Sequence, residues 1–295
     1  MRLAFTLVAP DHDRLQDAIP AALEAVAQAG RPADGLEVLG EGAADIFVEG
    51  AALADLRAAA RRGLERAGVD FCVQPAERRL KRLLVADMDS TIIGCECLDE
   101  IADYAGLKVE ISAVTARAMA GEIPFEEALR ARVALLAGLE IGALQRTFDE
   151  RVRLNPGAAT LARTMTSLGA RCVLVSGGFD FFTSRVAAVA GFSDNRANRL
   201  IDDGARLTGE VAEPILGREA KLAALTQEAA ALGLELSQTI AVGDGANDLA
   251  MVEAAGLGVA YHAKPILAER ADARVEVGDL TALLYFQGVG QDVFA

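Results

Sequence analysis

The chain has 295 residues, of which 52% are hydrophobic and 24% are charged; this argues against disorder and for about two domains of roughly 150 residues. The formal net charge is −14, so a general affinity for nucleic acid or for an anionic membrane is not expected. Four cysteines are too few for a disulfide scaffold. Because no signal-peptide pattern and no run of roughly 20 apolar residues occurs, we expect a cytoplasmic protein.

The first 74 residues alternate between strand-like and helix-like segments. The strand patterns are Leu3–Ala9, two short runs within Gly35–Gly50, and Val69–Val73, and the helical patterns are Leu15–Ala29 and Ala52–Ala67. The order βαββαβ predicts a small α+β, ferredoxin-like domain over residues 1–74. In element order this segment resembles an ACT-like regulatory domain, for which dimerisation (a homodimer), packing and effector binding stay open.

A linker and a larger α/β domain follow. Pro75 and the charged stretch Glu77–Arg82 predict a linker over residues 75–82, which leaves residues 83–295 for the second domain. Apolar runs of strand length alternate there with helical segments: Leu83–Ala86, Arg171–Val175, Thr239–Val242 and Leu257–Ala260. This alternation predicts a doubly wound parallel sheet covered by helices on both faces. Between about residues 98 and 150 only short helices are indicated.

Three polar clusters each follow an apolar strand-like run. They are Asp87-Met88-Asp89-Ser90-Thr91, Ser176-Gly177-Gly178-Phe179-Asp180 and Gly243-Asp244-Gly245-Ala246-Asn247-Asp248. In an open parallel sheet, ligands bind outside the carboxyl ends of the strands, so these clusters are expected to meet at one edge. A D-x-D pair alone is more often a solvated loop, but its combination with G-D-G-x-N-D makes coincidence improbable.

Converging carboxylates need a cation to offset their mutual repulsion. Asp87, Asp89, Asp244 and Asp248 would otherwise resist ionisation together. Oxygen ligands with no nearby His or Cys favour Mg²⁺ over zinc, and Mg²⁺ keeps open positions for water and a substrate phosphate. Ser176, the amides of the Gly177-Gly178 turn and a cation such as Lys221 can hold phosphate oxygens.

These motifs resemble the haloacid dehalogenase superfamily and, within it, the family of phosphatases that act on phosphoserine. The resemblance covers residues from about 80 to 288. It includes DMDST, Gly94-Cys95-Glu96 with LDEIADYAG, FEEALRARVALL, SGGFD, GREAK and GDGANDLAM. It implies an α/β core of the haloacid dehalogenase type, with a helical cap at about residues 97–153 that closes over the site.

The resemblance also implies a role for each matching residue. Asp87 is expected to be the nucleophile that becomes phosphorylated, and Asp89 the general acid and base. The implied Mg²⁺ ligands are the side chains of Asp87 and Asp244 and the backbone carbonyl of Asp89, with Asp248 in support. The implied phosphate-binding residues are Ser176, Gly177, Lys221 and Asn247.

Substrate selection is expected to come from the helical insert. Glu96 can pair with the ammonium group of phosphoserine and Arg132 with its carboxylate, and Met119 and Phe125 can form apolar walls. From the residues alone, Arg132 is more simply a solvated helix charge, as Arg130 beside it also is. The resemblance to the phosphatases reverses that preference.

The predicted activity is hydrolysis of O-phospho-L-serine in serine biosynthesis. One alternative keeps the chemistry and changes the acceptor or substrate, through phosphate transfer to homoserine or hydrolysis of another small phosphomonoester. A second is a binding module with a decayed catalytic centre, against which the intact acidic set and Lys221 argue. A third is a structural or regulatory role centred on residues 1–74.

Overall fold

The computed structural model describes residues 1–119 and 122–295, and the side chain of Met119 lies outside this description. A sheet of ten strands runs through the molecule. Four strands at one end of it pair antiparallel, and six strands at the other end pair parallel. Among the residues described, no helix combines the length and apolar character that crossing a bilayer requires.

The amino-terminal unit contains four strands and two helices in the order βαββαβ. Their bounds are β1 Arg2–Val8, α1 His12–Gln28, β2 Ala33–Gly40, β3 Ala43–Glu49, α2 Leu53–Leu64 and β4 Asp70–Pro75. Asp11 caps α1 by accepting a hydrogen bond from the Arg14 amide at 2.8 Å. Apolar residues of α1 at helical spacing, such as Leu15, Ala22 and Val26, are buried against the strands.

The parallel half of the sheet contains six strands. Their bounds are β5 Leu83–Ala86, β6 Arg171–Phe179, β7 Asp194–Asn198, β10 Thr239–Gly243, β11 Leu257–Tyr261 and β12 Ala273–Val275. Across the whole sheet the strand order is β2-β3-β1-β4-β12-β11-β10-β5-β6-β7. Successive side chains of β5 enter different apolar clusters, since Leu84 faces one side of the sheet and Val85 the other. The prediction of a parallel sheet with both faces covered is confirmed.

Helices cover both faces of this parallel half. Residues of α7 (Ala158–Ser167), α8 (Asp180–Ala190) and α12 (Ala282–Phe286) belong to one apolar cluster. Residues of α9 (Arg218–Ala231), α10 (Leu249–Ala254) and α11 (Pro265–Ala268) belong to the cluster on the opposite face.

A helical segment lies between β5 and α7. Its helices are α3 Cys97–Ala105, α4 Lys108–Met119, α5 Phe125–Ala134 and α6 Ile141–Arg151. It packs on a separate two-stranded hairpin, formed by β8 (Leu200–Asp202) and β9 (Leu207–Val211). A Cβ on Gly209 of this hairpin would contact Ala134, the last residue of α5, and Ala137 just beyond it. The helices expected in this insert are therefore present within the described residues.

The amino-terminal unit is joined to the parallel half by more than the linker. Phe71 of β4 pairs with Arg274 of β12, which makes the sheet continuous. The buried Asp70 carboxylate accepts hydrogen bonds from the amides of Glu276, Val277 and Gly278 at 2.7–3.3 Å. The two halves predicted as consecutive segments thus share one sheet.

The sequence prediction placed the end of one strand wrongly and missed two short elements. Strand β6 runs four residues beyond Val175, through the Ser176-Gly177-Gly178 run. Strand β12 and helix α12 were not predicted, because three and five residues are too short to show a periodic pattern.

Candidate active site

Polar residues at the ends of three neighbouring strands meet at the carboxyl edge of the parallel sheet. Asp87 follows β5, Ser176 lies near the end of β6, and Asp244 follows β10. Because β5 lies between β10 and β6, these positions are adjacent. The Asp87 amide donates to the Val242 carbonyl at 3.0 Å, which ties the start of the loop to β10.

Lys221 lies between two buried carboxylates. Its Nζ is 2.6 Å from Asp87 Oδ1 and 2.5 Å from Asp248 Oδ1. Lys221 is 2% exposed, Asp87 3% and Asp248 0%. Buried charges of this kind are tolerated only when they are paired and hydrogen-bonded. The first turn of α9 thereby fixes the orientation of Asp87, whose Oδ1 also accepts from the Met88 amide at 2.8 Å.

Burial and the charges of neighbouring groups together set the pKa values of Asp87, Lys221 and Asp244. Burial raises the pKa of Asp87 well above its ordinary value; Lys221 opposes that rise and Asp248 adds to it. Burial alone would lower the pKa of Lys221, but the two carboxylates outweigh it and raise that pKa. Burial and then Asp248 raise the pKa of Asp244. Crowded carboxylates of raised pKa call for a further positive charge.

The donor set fits a hard divalent cation. One oxygen each of Asp87, Asp244 and Asp248 lies within 4.8 Å of the others. Asp248 is already engaged on both oxygens, since Oδ1 pairs with Lys221 and Oδ2 accepts from the amides of Asp244 and Gly245 at 3.2 and 3.1 Å. Asp87 and Asp244 therefore keep oxygens for an ion, and oxygen-only donors are those that Mg²⁺ prefers.

Asp89 is held between β6 and the start of α3. Its Oδ1 accepts from the Cys97 amide at 2.9 Å, and its Oδ2 accepts from Ser176 Oγ at 2.8 Å. Ser176 Oγ in turn accepts from the Gly178 amide at 2.8 Å. A Cβ at Gly178 would lie 3.0 Å from Ser176 Oγ and 3.1 Å from Asp89 Oδ2, so glycine keeps this corner open.

A cavity of about 350 Å³ lies over these groups. We call its lower side the sheet-edge floor, formed by Asp87, Asp89, Ser176, Gly177, Gly178 and Asp244 with Lys221 and Asp248 buried beneath. We call its upper side the helical roof, formed by Glu96, Leu98, Asp99, Thr115, Phe125, Leu129 and Arg132. Floor and roof come from segments that are remote in sequence.

Glu96 lies at the start of α3 and faces this cavity. Its Oε1 accepts from Ser90 Oγ at 2.7 Å, and Ser90 has a left-handed backbone with φ of 58°. Burial raises the pKa of Glu96, the negative charge of Asp89 adds to the rise, and the Ser90 hydrogen bond opposes it. Glu96 and Asp89 make this part of the cavity acidic, which favours a positively charged group of a ligand.

Arg132 faces the same cavity from α5. Its guanidinium donates to the Ala128 carbonyl at 3.2 Å and to Thr115 Oγ1 at 3.5 Å, and within the described chain it has no ion pair. Burial lowers its pKa, against the opposing effect of Asp99 and Glu96. Arg130, by contrast, is outside the cavity lining and pairs with Glu213 at 2.5 Å. An unpaired, half-buried guanidinium is available to a carboxylate ligand.

The remaining predicted residues fall in two places. Asn247 and Phe125 line the cavity, whereas Lys221 and Asp248 lie behind Asp87 rather than on the cavity surface. Met119, predicted as an apolar wall, lies outside the side chains described.

Sequence reasoning missed Lys264, Asp99 and Thr115, which also line the cavity. Lys264 Nζ is 3.9 Å from Asp244 Oδ2, and its amide donates to the Asp244 carbonyl at 2.8 Å. A signal for Lys264 was present, because it comes shortly after the apolar run of β11, as the floor residues come after their own apolar runs. Asp99 and Thr115 carry no comparable motif.

Comparison with known proteins places these features in one family. The model for haloacid dehalogenase-like hydrolases matches residues 84–253. The chain is 46% identical over 253 residues to the phosphoserine phosphatase of Streptomyces coelicolor, a match covering 85% of this chain and 61% of that protein. This chain thus spans less than two thirds of that relative.

Solved structures are similar over different lengths of the chain. A hydrolase of the same family from Salmonella enterica serovar Typhi matches with a TM-score of 0.83 at 28% identity, over 97% of this chain and 98% of that one. A phospho-aspartyl intermediate analogue of phosphoserine phosphatase matches with a TM-score of 0.64 at 39% identity, over 70% of this chain and 99% of that one.

Proposed function

The chain belongs to the haloacid dehalogenase-like hydrolase family and is a phosphoric monoester hydrolase, and from that premise we propose that it hydrolyses O-phospho-L-serine to L-serine and phosphate. One observation carries the proposal. A single cavity joins the Asp87–Lys221 centre to the helical roof, which carries one negatively charged side chain, Glu96, and one positively charged side chain, Arg132. Phosphoserine presents a phosphate, an ammonium group and a carboxylate, which these three sites complement.

The proposed reaction has two displacements at phosphorus. An Asp87 carboxylate oxygen attacks phosphorus, the bond to the serine oxygen breaks, and Asp89 gives that oxygen its proton. Water then attacks the phosphorus of the aspartyl phosphate, Asp89 takes a water proton, and Asp87 is regenerated with release of phosphate. Dividing the displacement this way lowers each barrier. The phospho-aspartyl analogue in the similar solved phosphatase supports this route.

The hydrogen bonds of the floor support these roles. Asp87 Oδ1 is fixed by the Met88 amide and Lys221, while Oδ2 accepts no hydrogen bond from the described residues. Asp89 is oriented by the Cys97 amide and Ser176. Groups that are held in place beforehand need no reorganisation during the reaction. Most of the catalysis of phosphoryl transfer comes from such positioning and from the stabilisation of charge.

We propose Mg²⁺ as the cofactor, held by the Asp87 and Asp244 side chains and the Asp89 carbonyl, with Asp248 orienting the Asp244 loop. When bound, the ion offsets negative charge on the phosphoryl oxygens. Ser176, the Gly177 amide and Asn247 are proposed to hold the same oxygens, and Lys221 to neutralise Asp87 from behind.

The helical segment is proposed to act as a cap whose Glu96 and Arg132 select the amino acid part of the substrate. Residues 1–74 are proposed to be a ferredoxin-like, ACT-like unit that packs on the phosphatase core; the cytoplasmic location and a homodimer stay predictions. The continuous sheet across β4 and β12 supports a packing role.

An assay across small phosphomonoesters tests the proposal. O-phospho-L-serine is expected to be hydrolysed with the highest kcat/KM, to lose activity with a chelator, and to regain it with Mg²⁺. Product analysis in the presence of homoserine distinguishes transfer from hydrolysis. Similar rates on unrelated phosphomonoesters, or formation of phosphohomoserine, would contradict the proposed function.

A further inference from the structure

Asn198 is a buried side-chain amide at the end of β7, outside the lining of the active-site cavity. It is 2% exposed. Its Nδ2 donates to the carbonyls of Gly177 and Leu216 at 2.9 and 3.2 Å, and its Oδ1 accepts from the Leu216 amide at 2.7 Å. Because buried polar groups are costly to leave without partners, a side chain bonded in this way fixes the backbone that it contacts.

The bond from Asn198 to Gly177 lies where the pairing of β6 with β7 is irregular. The two strands pair in register up to Val175, and the next pair is Phe179 with Asn198. Residues 176–178 bulge out of the ladder between these pairs, and they belong to the sheet-edge floor. A bulge turns backbone groups away from their ladder partners. The Asn198 side chain therefore holds the carbonyl of Gly177 in the bulge that forms part of the floor.

The other partner of Asn198 precedes the helix that carries Lys221. Leu216 lies two residues before the start of α9. Its amide and its carbonyl both bond to the Asn198 side chain, much as they would bond to a neighbouring strand. Lys221 in the first turn of α9 reaches Asp87 Oδ1 at 2.6 Å. One side chain thus fixes both a floor residue and the start of the helix that supplies the buried ammonium group.

The two loops that Asn198 joins meet next to Phe125 of the helical roof. A Cβ on Gly177 would lie 3.5 Å from Phe125 Cζ, and a Cβ on Gly217 would lie 3.6 Å from Phe125 Cδ1. The aromatic ring therefore lies close to both glycines. Since Phe125 and Gly177 line the active-site cavity, the hydrogen bonds of Asn198 act at the wall of that cavity.

We propose that Asn198 is a positioning residue for the phosphoryl-binding part of the active site. It holds the Gly177 peptide and the first turn of α9 in a fixed relation, so that the Gly177 amide and Lys221 act together. The proposal rests on the roles proposed above for Gly177 and Lys221. It extends them to every phosphomonoester, because the groups that Asn198 orients address the phosphoryl group and not the amino acid part of a substrate.

Hydrolysis of an aryl phosphate and its inhibition by inorganic phosphate test this role without depending on phosphoserine as the substrate. The variants are Asn198→Ala, which removes all three hydrogen bonds, and Asn198→Ser, whose hydroxyl can still donate to one carbonyl. The matched control is Asn195→Ala in the same strand, because the Asn195 side chain accepts from Thr183 Oγ1 of α8 at 2.9 Å. All rates are measured well below the thermal midpoint of each variant.

In Asn198→Ala, the inhibition constant of phosphate is expected to rise about tenfold and kcat/KM for the aryl phosphate to fall at least as much. Asn198→Ser is expected to lose less, and the control to keep both values. The ratio of kcat/KM for phosphoserine to that for the aryl phosphate should stay constant, unlike in an Arg132 variant.

Unchanged constants in folded Asn198→Ala would overturn the proposal, and so would equal losses in the Asn195 control. A loss confined to phosphoserine would place Asn198 in substrate selection and would also overturn it. If neither Asn198 variant folded, the residue would be structural and the positioning role would be wrong. Poor hydrolysis of phosphoserine by the natural chain would contradict the proposed function alone, since the aryl phosphate still decides the role of Asn198.

Discussion

The sheet-edge floor and the helical roof of the active-site cavity hold their charged residues differently. On the floor, Asp87, Lys221 and Asp248 form a buried chain with contacts of 2.5 and 2.6 Å. On the roof, Arg132 makes hydrogen bonds of 3.2 and 3.5 Å to a carbonyl and a hydroxyl. The floor pairs these buried charges within the chain, whereas the roof keeps the Arg132 charge without an ion-pair partner among the described residues.

This difference separates chemistry from selection. A preorganised floor acts on the phosphoryl group, which every phosphomonoester shares. An unpaired roof charge acts on groups that only some substrates carry. Floor substitutions should therefore reduce all activity, and roof substitutions should reduce the preference for phosphoserine.

The largest effect is expected from Asp87→Asn. The amide cannot act as a nucleophile, so kcat should fall on the order of 10⁴-fold for phosphoserine and for an aryl phosphate alike. Lys221 keeps its contact with Asp248, so the thermal midpoint should change little. Asp17→Asn, an exposed aspartate of α1, serves as the control in steady-state assays. A near-normal rate in Asp87→Asn would refute the nucleophile.

The next effect is expected from Lys221→Met, and on stability as well as rate. Removing the ammonium group leaves two buried carboxylates unpaired, which should cost about 3–5 kcal/mol in the free energy of unfolding. Urea unfolding measures this loss, with Lys108→Met on the exposed surface of α4 as the matched control. If both variants unfolded at the same urea concentration, the buried charge chain would not stabilise the fold.

A smaller and more selective effect is expected from Arg132→Ala. Loss of a charged contact with the substrate carboxylate should lower kcat/KM for phosphoserine by about 10- to 100-fold and leave an aryl phosphate nearly unaffected. Arg130→Ala is the matched control, since its side chain is exposed and pairs with Glu213. Equal losses on both substrates would show that Arg132 does not read the carboxylate.

The smallest effect is a pH dependence assigned to Glu96. Burial, with the negative charge of Asp89, raises its pKa above the ordinary 4.5, so it takes a proton at higher pH than an exposed glutamate does. As pH falls through that raised pKa, pairing with the substrate ammonium is lost and kcat/KM for phosphoserine declines. Glu96→Gln should lower kcat/KM and remove this limb of the profile. If the decline of kcat/KM at low pH were unchanged in this variant, the decline would belong to another group.

The floor could be predicted from sequence because its residues belong to polar clusters that each follow an apolar run. Asp87, Ser176 and Asp244 are linked by a topological rule, that carboxyl ends of parallel strands share an edge. The same rule would have found Lys264 after β11, where only the short helix that follows obscured the pattern.

The roof was predictable only through resemblance. Arg132 and Arg130 lie two residues apart on α5, and nothing in the local pattern separates the cavity-facing residue from the exposed one. Which side of the helix faces the floor depends on packing against the β8–β9 hairpin, some 70 residues further along the chain. The pairing of Phe71 with Arg274, which joins the two halves of the sheet, could not be predicted from sequence either, because a single residue pair leaves no periodic pattern.

Trapping the phosphorylated enzyme tests the role of Asp87 most directly. The protein is mixed with phosphoserine and Mg²⁺, quenched in acid within the first turnovers, digested, and analysed by mass spectrometry. The predicted result is the added mass of one phosphoryl group on the peptide that contains Asp87, absent in Asp87→Asn. A phosphoryl group on another residue, or full turnover by Asp87→Asn, would contradict the covalent role of this carboxylate.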